Sequence, residues 1–162
     1  MKSQVLIVMG SDSDLPVMEG AGEMLKQFGI PYETTVASAH RAPERAIKIA
    51  SGAEGNGIQV IIAGAGMAAH LAGIIAAHTI LPVIGVPINS SPLNGIDSLL
   101  STVQMPPGVP VATMAIGKPG AKNAAILAAQ IIGRKIPAVA KKLREYKKAL
   151  AADVGKKVKS LR

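Results

Sequence analysis

The chain contains no cysteine and almost no aromatic residues. Without cysteine it can form no disulfide, thiolate metal site or cysteine nucleophile, a composition that fits a cytoplasmic protein. The aromatic residues are Phe28, Tyr32 and Tyr146, too few to stack the bases of a single-stranded nucleic acid. Because 49% of the 162 residues are hydrophobic, the chain must build one sizeable core from Ala, Val, Ile, Leu and Met.

Long apolar runs are also missing. The first apolar run ends at Gly10 and is followed by acidic residues, which is unlike a secretory signal, and no run is long enough to cross a bilayer. We therefore expect a protein of the cytoplasm that neither inserts into a membrane nor is secreted.

Positive charge is concentrated at one end of the chain, although the formal net charge is +8 overall. Residues 134–162 contain 11 of the 18 Lys and Arg residues and only two acids, Glu145 and Asp153. The rest of the chain is nearly neutral, so the charge predicts a solvated helix with a Lys-rich face rather than a dedicated nucleic-acid-binding surface. A basic nucleic-acid binder that acts through this tail remains the alternative.

Strand and helix patterns alternate along the chain. Apolar runs predict five strands, at residues 4–9, 32–37, 58–63, 83–86 and 111–116. Helical spacing with flanking Gly or Pro predicts helices at residues 15–28, from 43 to the loop at 55–57, at 68–79, at 120–132 and from 137 to about 152. This order predicts an α/β fold, a flavodoxin-like doubly wound parallel sheet in three αβα layers, with an extended C-terminal helix.

Polar residues follow the predicted strands, where the carboxyl ends of parallel strands share one edge and ligands bind. The candidates after the first four strands are Ser11, Asp12, Ser13 and Asp14, then Ser38, His40 and Arg41, then Gly64, Gly66, Ala68 and His70, then Asn89, Ser90 and Ser91. The long connection between Pro87 and Pro110 carries the last group, and loops of this length are usually functional. Plain helix capping is the alternative for the Ser and Asp residues of the first group.

His40 is the candidate for proton transfer, because histidine in general exchanges protons near neutral pH. Arg41 beside it could bind a phosphate or carboxylate through two nitrogens, with a solvated surface loop as the alternative for both residues. His70 could equally be a satisfied side chain in a packed turn, and His78 is predicted to be structural. Three His residues without partner carboxylates predict no metal site, and no Gly-x-Ser-x-Gly, Gly-x-Gly-x-x-Gly or Walker A pattern is present.

Six segments carry a resemblance to a known family. They are GSDSD at 10–14, SAHRAPE at 38–44, AGAGMAAHL at 63–71, PVIGVP at 82–87, NGIDSLLSTVQMP at 94–106 and AIGKPGAKNA at 115–124. In this order they resemble class I of the PurE family, the N5-carboxyaminoimidazole ribonucleotide mutases of purine biosynthesis. The resemblance covers roughly residues 4–133. It implies a catalytic domain at 1–133, to which the basic helix at 134–162 is an extension.

The resemblance implies an isomerase that works as a homo-octamer without metal or organic cofactor. The carboxylate of the substrate moves from the exocyclic amine to carbon 4 of the imidazole, through release and recapture of CO2. The family's general acid/base matches His40. The ribonucleotide would bind at Ser11, Asp12, Ser13, Asp14, Ser38 and Arg41, and the migrating carboxylate would lie near Gly64, Gly66, Ala68, His70 and Leu71. The phosphate would meet Ser13 and Arg41, and Asp14 would meet the ribose hydroxyls because like charges repel.

Two positions depart from the family pattern, which often has Gly where Met67 stands and Pro where Ala72 stands. Both departures put the conformation of the loop beside the carboxylate in question. The related class II enzymes carboxylate aminoimidazole ribonucleotide with free CO2 and have a different sequence in that loop, so the segment from Ala68 to Leu71 favours class I. A class II-type carboxylase and a non-catalytic nucleotide-binding module are the alternatives.

Overall fold

Five parallel strands form the centre of the computed structural model, which describes residues 2–160. The strands are β1 (Val5–Met9), β2 (Tyr32–Val36), β3 (Val60–Gly66), β4 (Val83–Ile88) and β5 (Ala112–Thr113). Their spatial order is β2-β1-β3-β4-β5, the flavodoxin-like order, so the predicted fold class is confirmed. Met1 and residues 161–162, the outer ends of the two predicted segments 1–133 and 134–162, lie outside the described residues.

Helices cover both faces of the sheet. They are α1 (Leu15–Phe28), α2 (Pro43–Ala53), α3 (Leu71–Ala77), α4 (Ile96–Val103), α5 (Lys118–Gly133) and α6 (Pro137–Ser160). Strand side chains alternate between two clusters, because successive residues of a strand point to opposite faces. Ile7 and Ile62 pack with α1 and α5, whereas Val8 and Ile61 pack with α2 and α3. The result is the predicted three-layer arrangement.

Small side chains let the helices approach the sheet and one another closely. In α5, five alanines are fully buried, namely Ala121, Ala124, Ala125, Ala128 and Ala129. Gly22 of α1 serves the same purpose, since a Cβ at this position would lie 2.6 Å from the Tyr32 hydroxyl oxygen. The core contains few aromatic residues, and it is close-packed because the backbones lie near one another rather than because large side chains fill the space between them.

Several element boundaries differ from the prediction. Strand β3 continues through Gly66 instead of ending at residue 63, because its ladder with β4 extends to the pair Gly66–Ile88. Helix α3 starts at Leu71 rather than at residue 68, and a bend in which Met67 has a φ of 55° precedes it. Strand β5 has only two residues because it pairs with β4 at only two positions. Helix α6 continues past residue 152 to Ser160.

Helix α6 belongs to the core only at its start. Val139 is buried, Leu143 packs against the same cluster, and the ring of Tyr146 meets Phe28 edge-on with centroids 5.6 Å apart. Residues 147–156 are all exposed, so the Lys-rich part of the helix faces solvent. In the part of the chain that is described, no helix is both long and apolar enough to span a membrane.

Candidate active site

A cleft of about 550 Å³ opens at the carboxyl ends of the strands. Its walls come from the segments that follow β1, β2, β3 and β4. The lining residues are Gly10, Ser11, Ser13, Asp14, Ser38, Ala39, His40, Arg41, Ala65, Gly66, Met67, Ala68, His70, Leu71 and Ser90. The polar groups that the sequence placed after separate strands therefore do meet at one edge of the sheet.

The first wall is a short 3₁₀ turn, Asp12–Asp14, between β1 and α1. Ser11 caps this turn: its hydroxyl accepts the Ser13 backbone N–H at 3.3 Å, and the Asp14 carboxylate accepts the Ser11 N–H at 3.0 Å. The Asp12 carboxylate accepts both the Ser11 hydroxyl and the Ser13 N–H at 3.0 Å. Capping and cleft lining are thus not alternatives here, because the same residues do both.

Asp14 is the buried acid of the cleft, with only 4% of its surface exposed. Burial raises the pKa of its carboxyl above the ordinary value of 3.8, and the charge of Asp12 acts in the same direction. The backbone N–H of Ser11 opposes this rise because it donates to the charged form. Keeping the carboxylate charged at neutral pH therefore costs folding free energy.

Replacing Asp14 with asparagine is expected to raise the melting temperature at pH 7. The folded state holds the proton of Asp14 more tightly than the unfolded state, so its contribution to stability is present below pH 3.8 and is lost as the pH rises through the folded pKa. Asparagine carries no charge and still offers an oxygen to the Ser11 N–H. Thermal unfolding followed from pH 3 to pH 7 should show the advantage of D14N growing with pH; an advantage that shrinks with pH would contradict this cause.

The second wall is the turn after β2, which presents His40 and Arg41. The Ser38 hydroxyl oxygen accepts the backbone N–H of Arg41 at 3.1 Å and its Nε–H at 3.5 Å, which fixes the direction of the Arg41 side chain. Arg45 of α2 donates to the Val36 carbonyl at 2.8 Å and so ties α2 to the end of β2. The turn that carries His40 is thereby held from both sides.

The third wall is formed by the end of β3, the bend before α3 and the loop after β4. Ser90 packs directly on the Cα of Gly66, and a Cβ at that position would overlap the Ser90 hydroxyl. Met67 is exposed and has a positive φ, a backbone conformation that glycine adopts more readily than other residues. Leu71 and Ala72 are buried at the start of α3, whereas Met67 projects into solvent.

Two histidines meet across the cleft. His40 Nε2 lies 2.7 Å from His70 Nδ1, and the rings are nearly perpendicular with centroids 4.7 Å apart. The same His70 nitrogen lies 2.9 Å from the Ala68 carbonyl oxygen. His78, by contrast, contacts the Ile74 carbonyl within its own helix and does not line the cleft.

Of the twelve predicted site residues, all but Asp12 and Gly64 line the cleft. Asp12 lies beside the cleft wall, where its carboxylate accepts hydrogen bonds from Ser11 and Ser13. Gly64 is buried in β3, where its carbonyl accepts the Gly10 N–H at 2.9 Å and a Cβ would meet the side chain of Met18. Of the three candidates after the fourth strand, Ser90 lines the cleft, whereas Asn89 and Ser91 are not among its lining residues.

No group of three His, Cys, Asp or Glu side chains within residues 2–160 is arranged to hold a metal ion. The cleft instead offers a guanidinium and four serine hydroxyls, all of which bind anions. Beside them stand one buried carboxylate and the histidine pair. This set can hold a phosphorylated sugar and exchange a proton with a group bound next to it.

A sequence model of the AIR carboxylase family matches residues 4–153. The chain belongs to this family. A protein from Pyrococcus horikoshii is 61% identical over 99% of this chain and 92% of its own length, and one from Thermotoga maritima is 59% identical over 98% and 91%. One from Escherichia coli K12 is 51% identical over 94% and 90%. All three are named N5-carboxyaminoimidazole ribonucleotide mutase.

A crystal structure of Treponema denticola PurE is similar to this family member over its whole length. The TM-score is 0.89 at 28% identity, and 99% of each chain is covered. The agreement in fold extends over the chain as a whole.

Proposed function

We propose that this protein converts N5-carboxyaminoimidazole ribonucleotide to 4-carboxy-5-aminoimidazole ribonucleotide in purine biosynthesis. The observation that carries the proposal is the position of His40, which stands in the cleft beside anion-binding groups in a chain whose relatives at 51–61% identity are named for this mutase activity. The cleft volume of about 550 Å³ suits a mononucleotide-sized ligand.

The ribonucleotide is proposed to bind along the first two walls. Its phosphate meets Arg41 and the Ser13 hydroxyl. Asp14 accepts hydrogen bonds from the ribose hydroxyls, because a carboxylate repels a phosphate. Bound in this way, the imidazole base extends toward the second and third walls, where His40 and His70 meet.

The chemistry proceeds in two balanced halves. In the first, the bond between the exocyclic nitrogen and the carboxylate carbon breaks, CO2 leaves, and protonated His40 supplies a proton to the nitrogen. In the second, carbon 4 of the imidazole forms a bond to the CO2 carbon, and neutral His40 removes the proton from carbon 4. The proton lost in the first half is regained in the second, so one imidazole serves both as acid and as base.

Retention of CO2 between the two halves requires that water is kept out of the cleft. His40, Met67, Ala68 and His70 are all exposed in the isolated chain, so the cleft needs a further cover. We infer that neighbouring copies in a homo-octamer supply it, and the exposed apolar stripe of α4, formed by Ile96, Leu100 and Val103, supports such contacts. Sedimentation velocity should give one octameric species. A cytoplasmic location stays a prediction.

The proposal is tested by supplying the purified protein with each candidate substrate. We expect rapid turnover of the carbamate without added bicarbonate, and slow or no turnover of aminoimidazole ribonucleotide with bicarbonate. The reverse preference would assign the protein to the carboxylase type. No turnover of either substrate, with the ribonucleotide still bound, would indicate a non-catalytic nucleotide-binding module.

A further inference from the structure

The contacts of His70 Nδ1 determine where the hydrogens of the histidine pair lie. The Ala68 carbonyl oxygen, 2.9 Å from this nitrogen, can only accept a hydrogen bond. An unprotonated Nδ1 would place two lone pairs against each other at that distance. The contact is favourable only if His70 carries its hydrogen on Nδ1.

The state of His40 follows from that of His70. Its Nε2 lies 2.7 Å from the same His70 Nδ1, and a contact of this length accommodates only one hydrogen. Because that hydrogen belongs to His70, His40 Nε2 must be bare and its own hydrogen must lie on Nδ1. The reverse assignment, with His40 donating from Nε2, would satisfy one contact and turn the Ala68 contact into a repulsion.

We propose that His70 is a positioning residue that donates a hydrogen bond to the bare Nε2 of His40 and so stabilises the base form of His40 between the two halves of the reaction. The expected kinetic effect of this inference rests on the proposed function, whereas the hydrogen positions do not. After His40 has given its proton to the departing nitrogen, its Nε2 is bare. Because an imidazole nitrogen has one lone pair, the hydrogen bond from His70 breaks before Nε2 takes the proton from carbon 4, so His70 stabilises the bare nitrogen only in the interval between the two proton transfers.

Arg41 is the charged neighbour of this pair on the second wall, and its side chain is held by Ser38. The hydrogen bonds of Arg41 go to Ser38, so this charge does not distinguish the two nitrogens of His40. The choice of nitrogen is therefore left to His70, because Nδ1 of His70 lies within hydrogen-bond distance of His40 Nε2.

Two substitutions of His70 distinguish the effect of its N–H donor from the effect of its ring. Asparagine at position 70 keeps an N–H donor close to where Nδ1 stands, whereas leucine removes it at similar volume. Because His70 is exposed, we expect both variants to fold. We expect His70→Leu to lower kcat about threefold to tenfold with little change in KM, the loss of one neutral hydrogen bond. His70→Asn should retain most of the wild-type kcat.

The hydrogen positions are read directly by ¹⁵N NMR of histidine-labelled protein, at a pH where both rings are neutral. We expect wild-type His40 and His70 to carry hydrogen on Nδ1, and His40 of the leucine variant to shift toward the Nε2–H tautomer. Wild-type His40 with hydrogen on Nε2 would overturn the inference, as would equal kcat losses in the leucine and asparagine variants. If the tautomers are as expected but the wild type turns over no carbamate, the proposed function fails and the pairing stands.

Discussion

Replacing His40 with asparagine is expected to lower kcat by about 10²- to 10⁴-fold, the usual range for removal of a general acid/base. Asparagine can neither give the proton to the departing nitrogen nor take it from carbon 4. The Ser38 and Arg41 contacts involve other groups, so KM should remain close to the wild-type value. Steady-state kinetics with the carbamate as substrate measures both constants.

The matched control is His78→Asn. His78 is also exposed, but its Nδ1 contacts the Ile74 carbonyl at 2.8 Å in its own helix and it does not line the cleft. This variant should keep the wild-type kcat. If His40→Asn retained activity, or if the two variants lost it equally, His40 would not be the acid/base.

Replacing Gly120 with alanine is expected to lower the free energy of unfolding by about 3 kcal/mol, a large overpacking effect. The added Cβ would overlap the carbonyl oxygen of Ala115 and lie 2.7 Å from its carbonyl carbon. Backbone cannot rotate away as a side chain can, and α5 is held between α1 and α6. For a chain of this size the melting temperature should fall by roughly 10 °C.

Gly155 provides the comparison within another helix. A Cβ at this position of α6 meets nothing within 4 Å, so Gly155→Ala should leave the melting temperature unchanged or raise it slightly through helix propensity. Both variants are best compared at one protein concentration. Equal melting temperatures for the two alanine variants would show that the close approach of Ala115 does not exclude a side chain at Gly120 in α5.

The sheet was predictable from the sequence because its strands are continuous apolar runs. Residues 58–63 contain no polar side chain other than Gln59, and such a run forms a strand buried on both faces. The convergence of Ser11, His40 and His70 was predictable for the same reason, since parallel strands bring their carboxyl ends to one edge.

The end of β3 could not be predicted, because glycine has more than one use. Gly64 and Gly66 were expected to follow the strand, yet both are in it, where they leave room for Met18 and Ser90. Those neighbours come from a helix and a loop that are distant in sequence, so no local pattern reveals them. The difference between Asp12 and Asp14 could not be predicted for the same reason, because the sequence does not show which of the two acids is buried.

The pairing of His40 with His70 also lay beyond the sequence. The residues are 30 positions apart, and only the folded chain brings Nε2 of one to Nδ1 of the other. The sequence indicated a titrating group and a pocket residue, whereas the structure gives the distance between their ring nitrogens, on which the proposed tautomer of His40 rests.

Transfer of the carboxylate within one substrate molecule is tested most directly by isotope. The protein would be given the carbamate carrying ¹³C in its carboxylate, in buffer that contains unlabelled bicarbonate, and the product examined by ¹³C NMR at early times. We expect the label at the carboxylate on carbon 4, because the released CO2 stays in the cleft. A product that carries unlabelled carbon from the buffer throughout would contradict this account.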